Sequence, residues 1–413
     1  MIIKRRGLFS WVRAAWRPAL GGATLAAISL VAADSFPEFT PGAGYTNRLV
    51  PKEPWSIHIV RVDRARGEFE IQSAHALNLA LGLSPLGRQL NQAPPQWGVP
   101  VAGVNGDFYQ RDRAYAGDTR GLQIVDGELI SAPADSASFW IDAAGQPHTG
   151  RTLPRFVTTW PDGTTTLFGL NEDRDHDAAV LYTPAIGAST RTRADGLELV
   201  LERTGEGKWL PLQIGETYDV RVKEARRDGN TPVAPGTLVL SLGPGLAKTS
   251  PQIKPGAVLR ISTGSSPHLR GARTAISAGP VLVLAGKKQN WLKSAKAVGP
   301  TGDYSVRSMS ERHPRSGVGW NDRYFYLIGV DGRQASSSGM TLDELAGQFL
   351  SLGCTEAMNL DGGGSATMWA GGRLVNTPCD PGHRERDIAN SLLVFKKKPS
   401  GPSAQTTKSS ALN

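Results

Sequence analysis

Cysteine is almost absent: Cys354 and Cys379 are the only two in 413 residues. A disulfide framework is excluded, and whether these two pair is left open by their positions. Histidine is scarce as well, at seven, with no H-x-H or H-E-x-x-H arrangement. Neither cysteine has ligand partners at zinc spacing, so a catalytic zinc is not expected. There is no G-x-S-x-G, which removes a serine-hydrolase elbow. The glycine run at 362–364 is not followed by Gly-Lys-Ser/Thr, which removes a P-loop. Past the N-terminus no apolar run approaches the roughly 20 residues of a membrane-spanning helix.

The body of the chain also lacks net charge. The formal +9 comes from its two ends. Residues 1–33 carry Lys4, Arg5, Arg6, Arg13 and Arg17 and no acid; residues 396–413 carry Lys396, Lys397, Lys398 and Lys408 and no acid. Acidic and basic residues therefore balance over 34–395, which argues against a nucleic-acid-binding core. The 39% hydrophobic content excludes a disordered chain. The length suffices for a sizeable core without metal or disulfide staples.

Residues 1–33 read as an export signal or an N-terminal anchor. Basic residues come first, then the apolar stretch Ala19–Ala33, then Asp34. The expected location of the body is thus periplasmic or extracellular, with membrane contact only through an uncleaved N-terminal segment. Residues 34–55 read as a lead-in, and residues 396–413, rich in Ser, Thr, Pro and Lys, as a disordered basic tail.

Between them, 56–395 reads as one α+β domain: a mixed β-sheet core with few helices, a β-rich middle at about 137–270 and a C-terminal βαβ unit. Residues 57–62 and 99–104 have strand patterns, and a helix is expected over 85–92. GLQIVDGELI at 121–130 reads as a hairpin turning at Asp126-Gly127. Near the C-terminus, YFYLIGV at 324–330 is a buried strand. Thr341 with Glu344 forms a capping-box signature for a helix whose apolar face is Leu342, Leu345, Ala346, Phe349 and Leu350. Gly353 suits its C′ position. The strand 357–360 follows, so Asp331 and Asp361 are expected at the same end of two parallel strands, where open α/β sheets hold ligands.

Several motifs carry chemistry. Asn359–Thr367 (NLDGGGSAT) sets Asp361 before Gly362, Gly363, Gly364 and Ser365, whose backbone N–H groups suit an anion. Asn105-Gly106-Asp107 ends a strand. Arg273, Arg312 and Arg315 are candidate grips for phosphate or carboxylate. Asp173, Asp175 and Asp177 alternate like a calcium loop, but Ala178 and Pro184 occupy its glycine and glutamate positions, so a solvated loop is expected.

Together these segments resemble the phosphodiester glycosidase family, which includes exopolysaccharide-related bacterial members. The matching stretches are VNGDFY (104–109), GLQIVDGEL (121–129), LYTPAIGASTRT (181–192), AISAGPVLV (275–283), HPRSGVG (313–319), VDGR (330–333), MTLDELA (340–346), NLDGGGSATM (359–368) and IANSLLVF (388–395). The resemblance implies a glycosidase that removes a sugar whose anomeric oxygen is esterified in a phosphodiester. Its partner would be a carbohydrate or glycan, with surface polysaccharide the expected source; the oligomeric state is left open. Asp361 would be a catalytic carboxylate, with Asp107 or Asp331 its partner. Arg273, Arg312 or Arg315 and the 362–365 backbone would hold the phosphate. Asn105 and Arg333 would orient the sugar or the carboxylates. Asp107 stands where the family pattern has Gly, which makes it a candidate for specificity too. No cofactor is required by this scheme, though Asp and Asn at strand ends are ligand types suited to Ca²⁺ or Mg²⁺. Two other readings compete: a glycoside hydrolase for ordinary glycosidic bonds, and a non-catalytic polysaccharide-binding module.

Overall fold

The computed structural model describes residues 35–111, 114–250, 253–290 and 306–398. The expected export signal and the tail beyond 398 lie outside the described residues.

Among the described residues the strands form three sheets. The eight-stranded sheet runs, in spatial order, Glu38–Thr40, Ala43–Val50, Trp55–Asp63, Tyr324–Val330, Arg315–Trp320, Glu356–Asn359, Val281–Leu284 and Lys287–Lys288. The five-stranded sheet runs Arg373–Leu374, Met368–Ala370, Val99–Asn105, Asn390–Lys396 and Phe69–His75. The twelve-stranded sheet holds most of the middle of the chain, including the long strands Pro147–Thr159, Thr217–Arg226 and Val258–Ser266. Its hairpin Gln123–Ser131 turns at Asp126-Gly127, as the sequence pattern predicts.

The first two sheets face each other across an apolar layer. Val318, Phe325, Leu327 and Met358 of the eight-stranded sheet pack on Ala102, Val104, Met368 and Leu392 of the five-stranded one. Phe139 enters from the twelve-stranded sheet, its ring edge-on to Trp320 at 5.4 Å. The helix Leu342–Ser351 covers the opposite face of the eight-stranded sheet through Leu342, Leu345, Ala346 and Phe349. Phe349 lies so close to the strand Arg315–Trp320 that a Cβ on Gly319 would sit 2.6 Å from its ring. That is why the strand reads Gly-Val-Gly where it passes under the helix. The short helix Leu86–Asn91 covers the outer face of the five-stranded sheet with Leu86 and Leu90. The middle of the chain has its own core, centred on Phe156, Leu199, Leu240 and Ile261.

The capping box is present in full. The Glu344 N–H donates to Thr341 Oγ1 at 3.2 Å, and the Thr341 N–H donates to the Glu344 carboxylate at 2.9 Å. Thr341→Ala is expected to cost about 1 kcal/mol, read as a lower urea midpoint with unchanged m.

Three expectations need correction or narrowing. First, the sheets are not broadly mixed: the one parallel ladder among the described residues joins Gly169–Leu170 to Ala179–Tyr182. Second, the strands 324–330 and 356–359, expected as parallel neighbours or near neighbours, are near neighbours and not a bonded pair. The strand Arg315–Trp320 lies between them, antiparallel to both, with Val318 opposite Leu327 on one side and Met358 on the other. They run in the same direction two strands apart, roughly 10 Å at standard strand spacing. Third, the lead-in is itself structure, since Glu38–Thr40 and Ala43–Val50 are the outermost strands of a sheet. The expected tail likewise begins later than 396. Lys396 ends a strand, and the Lys397 N–H donates to the Glu68 carbonyl at 2.8 Å.

Candidate active site

The strand Val99–Asn105 of one sheet and the strand Glu356–Asn359 of another end side by side, and main-chain bonds lock their loops together. The Asp361 N–H donates to the Gly106 carbonyl at 2.9 Å. Asn105 is buried and bridges further: its Nδ2 donates to the Asp361 carbonyl at 2.7 Å, and its Oδ1 accepts from Ser316 Oγ at 2.6 Å and from the Thr367 N–H at 3.1 Å. Asn390, from the last strand, accepts the Asp107 N–H at 2.8 Å. Asp107 and Asp361 are thereby delivered to one cavity of about 1110 Å³, also lined by Tyr109, Arg111, Arg120 and Arg386. Its other wall comes from 131–137, 168–172 and 278–281.

The two carboxyl groups differ in environment. Asp361 Oδ1 accepts the Gly362 N–H at 2.8 Å. Burial raises Asp361 to about 6; the Ser365 hydroxyl, the Gly362 N–H and the charges of Arg386 and Arg111 hold it from rising further. Asp107 is 3% exposed. Its Oδ1 accepts the Phe108 N–H at 2.7 Å, while its buried Oδ2 has no hydrogen-bond partner. Burial, with the nearby charge of Asp361 adding to it, pushes Asp107 up to about 8. At neutral pH the pair therefore offers an ionised carboxylate beside a protonated carboxyl, the division of labour expected of a base or nucleophile and an acid.

Cationic groups complete the site. The Arg386 guanidinium is held in a fork by Asp380, Nε to Oδ2 at 2.8 Å and Nη2 to Oδ1 at 2.7 Å. It packs so tightly on Gly364 that any Cβ there would collide with it. Arg111 stands exposed on the same side. Farther along the cavity, burial raises Asp118 to about 8 and Glu172 to about 7.

The structure separates several residues that the sequence grouped. Asp331 does not line the cavity. Its carboxylate is engaged by His58 and by the Thr377 N–H, and the intervening strand keeps it from Asp361. Arg273 is exposed and pairs with Asp126 at 2.9 Å and Glu70 at 3.7 Å. Arg312 bridges Glu344 and Glu53 over the ring of Trp55, which ties down the helix start. Arg315 is 1% exposed and donates to the carbonyls of Met340, Ser308 and Glu311. Each of these three arginines is engaged by protein carbonyls or carboxylates, and none of them lines the cavity. Arg333 has a positive φ of 57° and reaches His313 Nδ1 at 3.4 Å, beside Gly363 and outside the cavity lining.

Three of the four N–H donors at 362–365 that were expected to face an anion are taken within the protein. The Gly362 N–H bonds the Asp361 carboxylate, the Gly363 N–H the Pro314 carbonyl, and the Ser365 N–H the Gly362 carbonyl. These donors shape the Asp361 loop. The sequence reading missed Arg386, Arg111 and the Asp380 fork. They lie in irregular loops with no periodicity; the position of Arg386 between NLDGGGSATM and IANSLLVF was the one available signal. Among the described residues no three His, Cys, Asp or Glu side chains gather as a metal-ligand group. Cys354 and Cys379 are not bonded to each other.

Residues 215–395 match the family model described as phosphodiester glycosidase. This part of the chain is similar to that family. The matched region contains Asp361, Asp380 and Arg386, and the fold brings Asp107 to it from outside. The uncharacterized SPbeta prophage-derived protein YomE of Bacillus subtilis is 37% identical over 87 residues. That match covers 21% of this chain and 13% of the relative. A hypothetical protein of Synechocystis shares the fold with a TM-score of 0.68 at 19% identity, covering 86% of this chain and 62% of its own. A protein of Burkholderia pseudomallei described as exported has a TM-score of 0.63 at 22% identity, covering 83% of this chain and 74% of its own. This chain thus spans less than two thirds of the first two relatives, and the two structures are likenesses of fold.

Proposed function

We propose that this protein is an exported hydrolase that cleaves the sugar–phosphate bond of sugar-1-phosphodiesters, with surface polysaccharide or a related glycan as the source. The observation that carries the reading is the meeting of Asp361, Asp107, Arg386 and Arg111 in one cavity, with the two carboxyl groups raised to about 6 and about 8. The sugar carbon becomes oxocarbenium-like as the bond to phosphate breaks, and needs a carboxylate opposite it. Asp361 supplies that carboxylate, either as nucleophile or as base toward water. The departing phosphate monoester gains charge, which preorganised guanidinium groups stabilise without reorganising. Arg386, fixed by Asp380, and Arg111 fill this role. The protonated Asp107 is the acid of the pair, standing beside Asp361 in the cavity wall.

The raised Asp107 also favours a second reading, hydrolysis of ordinary glycosides, because an alcohol leaving group needs a carboxylic acid to protonate it. A panel of sugar-1-phosphodiesters and para-nitrophenyl glycosides, followed by mass spectrometry, separates the two. Sugar release from phosphodiesters alone is the expected result; release from the plain glycosides alone would establish the second reading. Binding without turnover across the panel would leave a polysaccharide-binding module. Export accords with the N-terminal charge and apolar pattern, and with the description of the Burkholderia relative as exported.

A further inference from the structure

Asp331 is buried, ionisable and outside the cavity, yet the chain it holds leads straight into it. We propose that Asp331 is a positioning residue: its carboxylate pins the base of the loop 376–386, from which Asp380 aims Arg386 at Asp361. This rests on the reading of Arg386 as the cation that meets the substrate phosphate.

Both carboxylate oxygens are committed to the protein. Oδ1 accepts the Thr377 N–H at 2.8 Å. Oδ2 lies 3.0 Å from His58 Nε2, and His58 Nδ1 lies 2.8 Å from the Tyr45 hydroxyl, whose ring stacks on the imidazole. The Asp331 carbonyl accepts from Ser337 Oγ at 2.6 Å, so its backbone is fixed as well. Asp331 and His58 are 4% and 3% exposed, and neither lines the cavity.

The loop is tied at its base and shaped along its length. Asn376 accepts the Met368 N–H at 2.7 Å and donates to the Ala366 carbonyl at 3.0 Å. Gln334 Nε2 donates to the Thr377 carbonyl at 2.7 Å. His383 Nδ1 sits 2.9 Å from the Pro378 carbonyl, and the His383 N–H donates to the Asp380 carbonyl at 2.9 Å. Two residues separate the Asp331 anchor at Thr377 from Asp380. The Asp380 fork fixes both the distance and the plane of the Arg386 guanidinium, and Gly364 lets it approach. A charge-assisted fork of this kind transmits orientation, because two parallel bonds leave the guanidinium little freedom to turn.

The test turns on isosteres. Asn at 331 still accepts the Thr377 N–H through its oxygen, and its NH₂ can donate to His58 in the other tautomer; Ala can do neither. Purified chain carrying Asp331→Ala, Asp331→Asn, Arg386→Ala and the Asp331→Ala/Arg386→Ala double change is compared with wild type. The readouts are KM and kcat on a sugar-1-phosphodiester and hydrogen exchange over 376–386. Asp331→Ala is expected to raise KM about tenfold with a smaller change in kcat, and to speed exchange across the loop. Asp331→Asn should stay within about threefold of wild type on both. The Ala effect on KM should vanish once Arg386 is absent. Gln334→Ala, at a half-exposed position, should act in the same direction more weakly, and serves if Asp331→Ala does not fold. Equal loss of kcat in Asn and Ala with unchanged loop exchange would overturn the proposal, since Asp331 would then act as a carboxylate in its own right. So would a full Ala effect in the Arg386→Ala background. If wild type turns over no phosphodiester but the exchange pattern holds, the functional reading fails and the anchoring of the loop stands.

Discussion

Asp361→Asn is expected to lower kcat on a sugar-1-phosphodiester by at least about a thousandfold, the upper range for loss of a positioned base, with thermal stability retained. Asn preserves the shape of the side chain, and its oxygen still accepts the Gly362 N–H that Oδ1 accepts at 2.8 Å. The loop should therefore persist, because its other bonds, from the Asp361 N–H to Gly106 and from Asn105 Nδ2 to the Asp361 carbonyl, are to the main chain. What disappears is the negative charge that meets the developing oxocarbenium ion. A variant retaining more than a tenth of the wild-type rate would remove Asp361 from the chemistry.

The second large effect is pH dependence. In the proposed mechanism Asp361 acts ionised and Asp107 protonated, so kcat/KM should rise as pH passes about 6 and fall as it passes about 8. Asp107→Asn should remove the alkaline limb and lower the rate, with the acid limb still set by Asp361. Stability should move the opposite way. Burial raises Asp107 in the folded state from the ordinary 3.8 to about 8, so folding favours its protonated form. The stability this lends is fully present below the ordinary carboxylate value and is lost as pH rises through about 8. Asn carries no charge to bury. Asp107→Asn should therefore melt higher than wild type at pH 8 and near wild type at pH 4. A wild-type rate flat from pH 5 to 9, or an Asp107→Asn protein less stable at pH 8, would contradict this account. A site stabilised by removing its own acid is the expected trade between a strained active site and a stable fold.

The local elements were readable because their determinants are local. Thr341 and Glu344 are three residues apart and satisfy each other's backbone donors, so the helix start follows from the chain itself. Asp126-Gly127 sets a turn by backbone conformation, and the hairpin 123–131 follows. Asp107 and Asp361 were visible because each ends a strand beside glycine, and both line the cavity. The arginines were misplaced for an equally physical reason. A guanidinium in sequence carries no record of its partner, and Arg312 and Arg315 resemble ligand-binding arginines until Glu344, Glu53 and the carbonyls around them are in place.

By itself the sequence determined the balance of charge over the body of the chain, the strand and helix segments, the two strand-end aspartates and the family resemblance. These depend on composition and on neighbours a few residues apart. Only the tertiary structure decided strand order. Insertion of the strand 315–320 between 324–330 and 356–359 moves Asp331 away from Asp361, and packing of the five-stranded sheet against the eight-stranded one brings Asp107, 254 positions earlier in the chain, into its place. Which carboxylates share a cavity, and how far burial shifts each, follow from contacts between remote segments, and no local pattern encodes them.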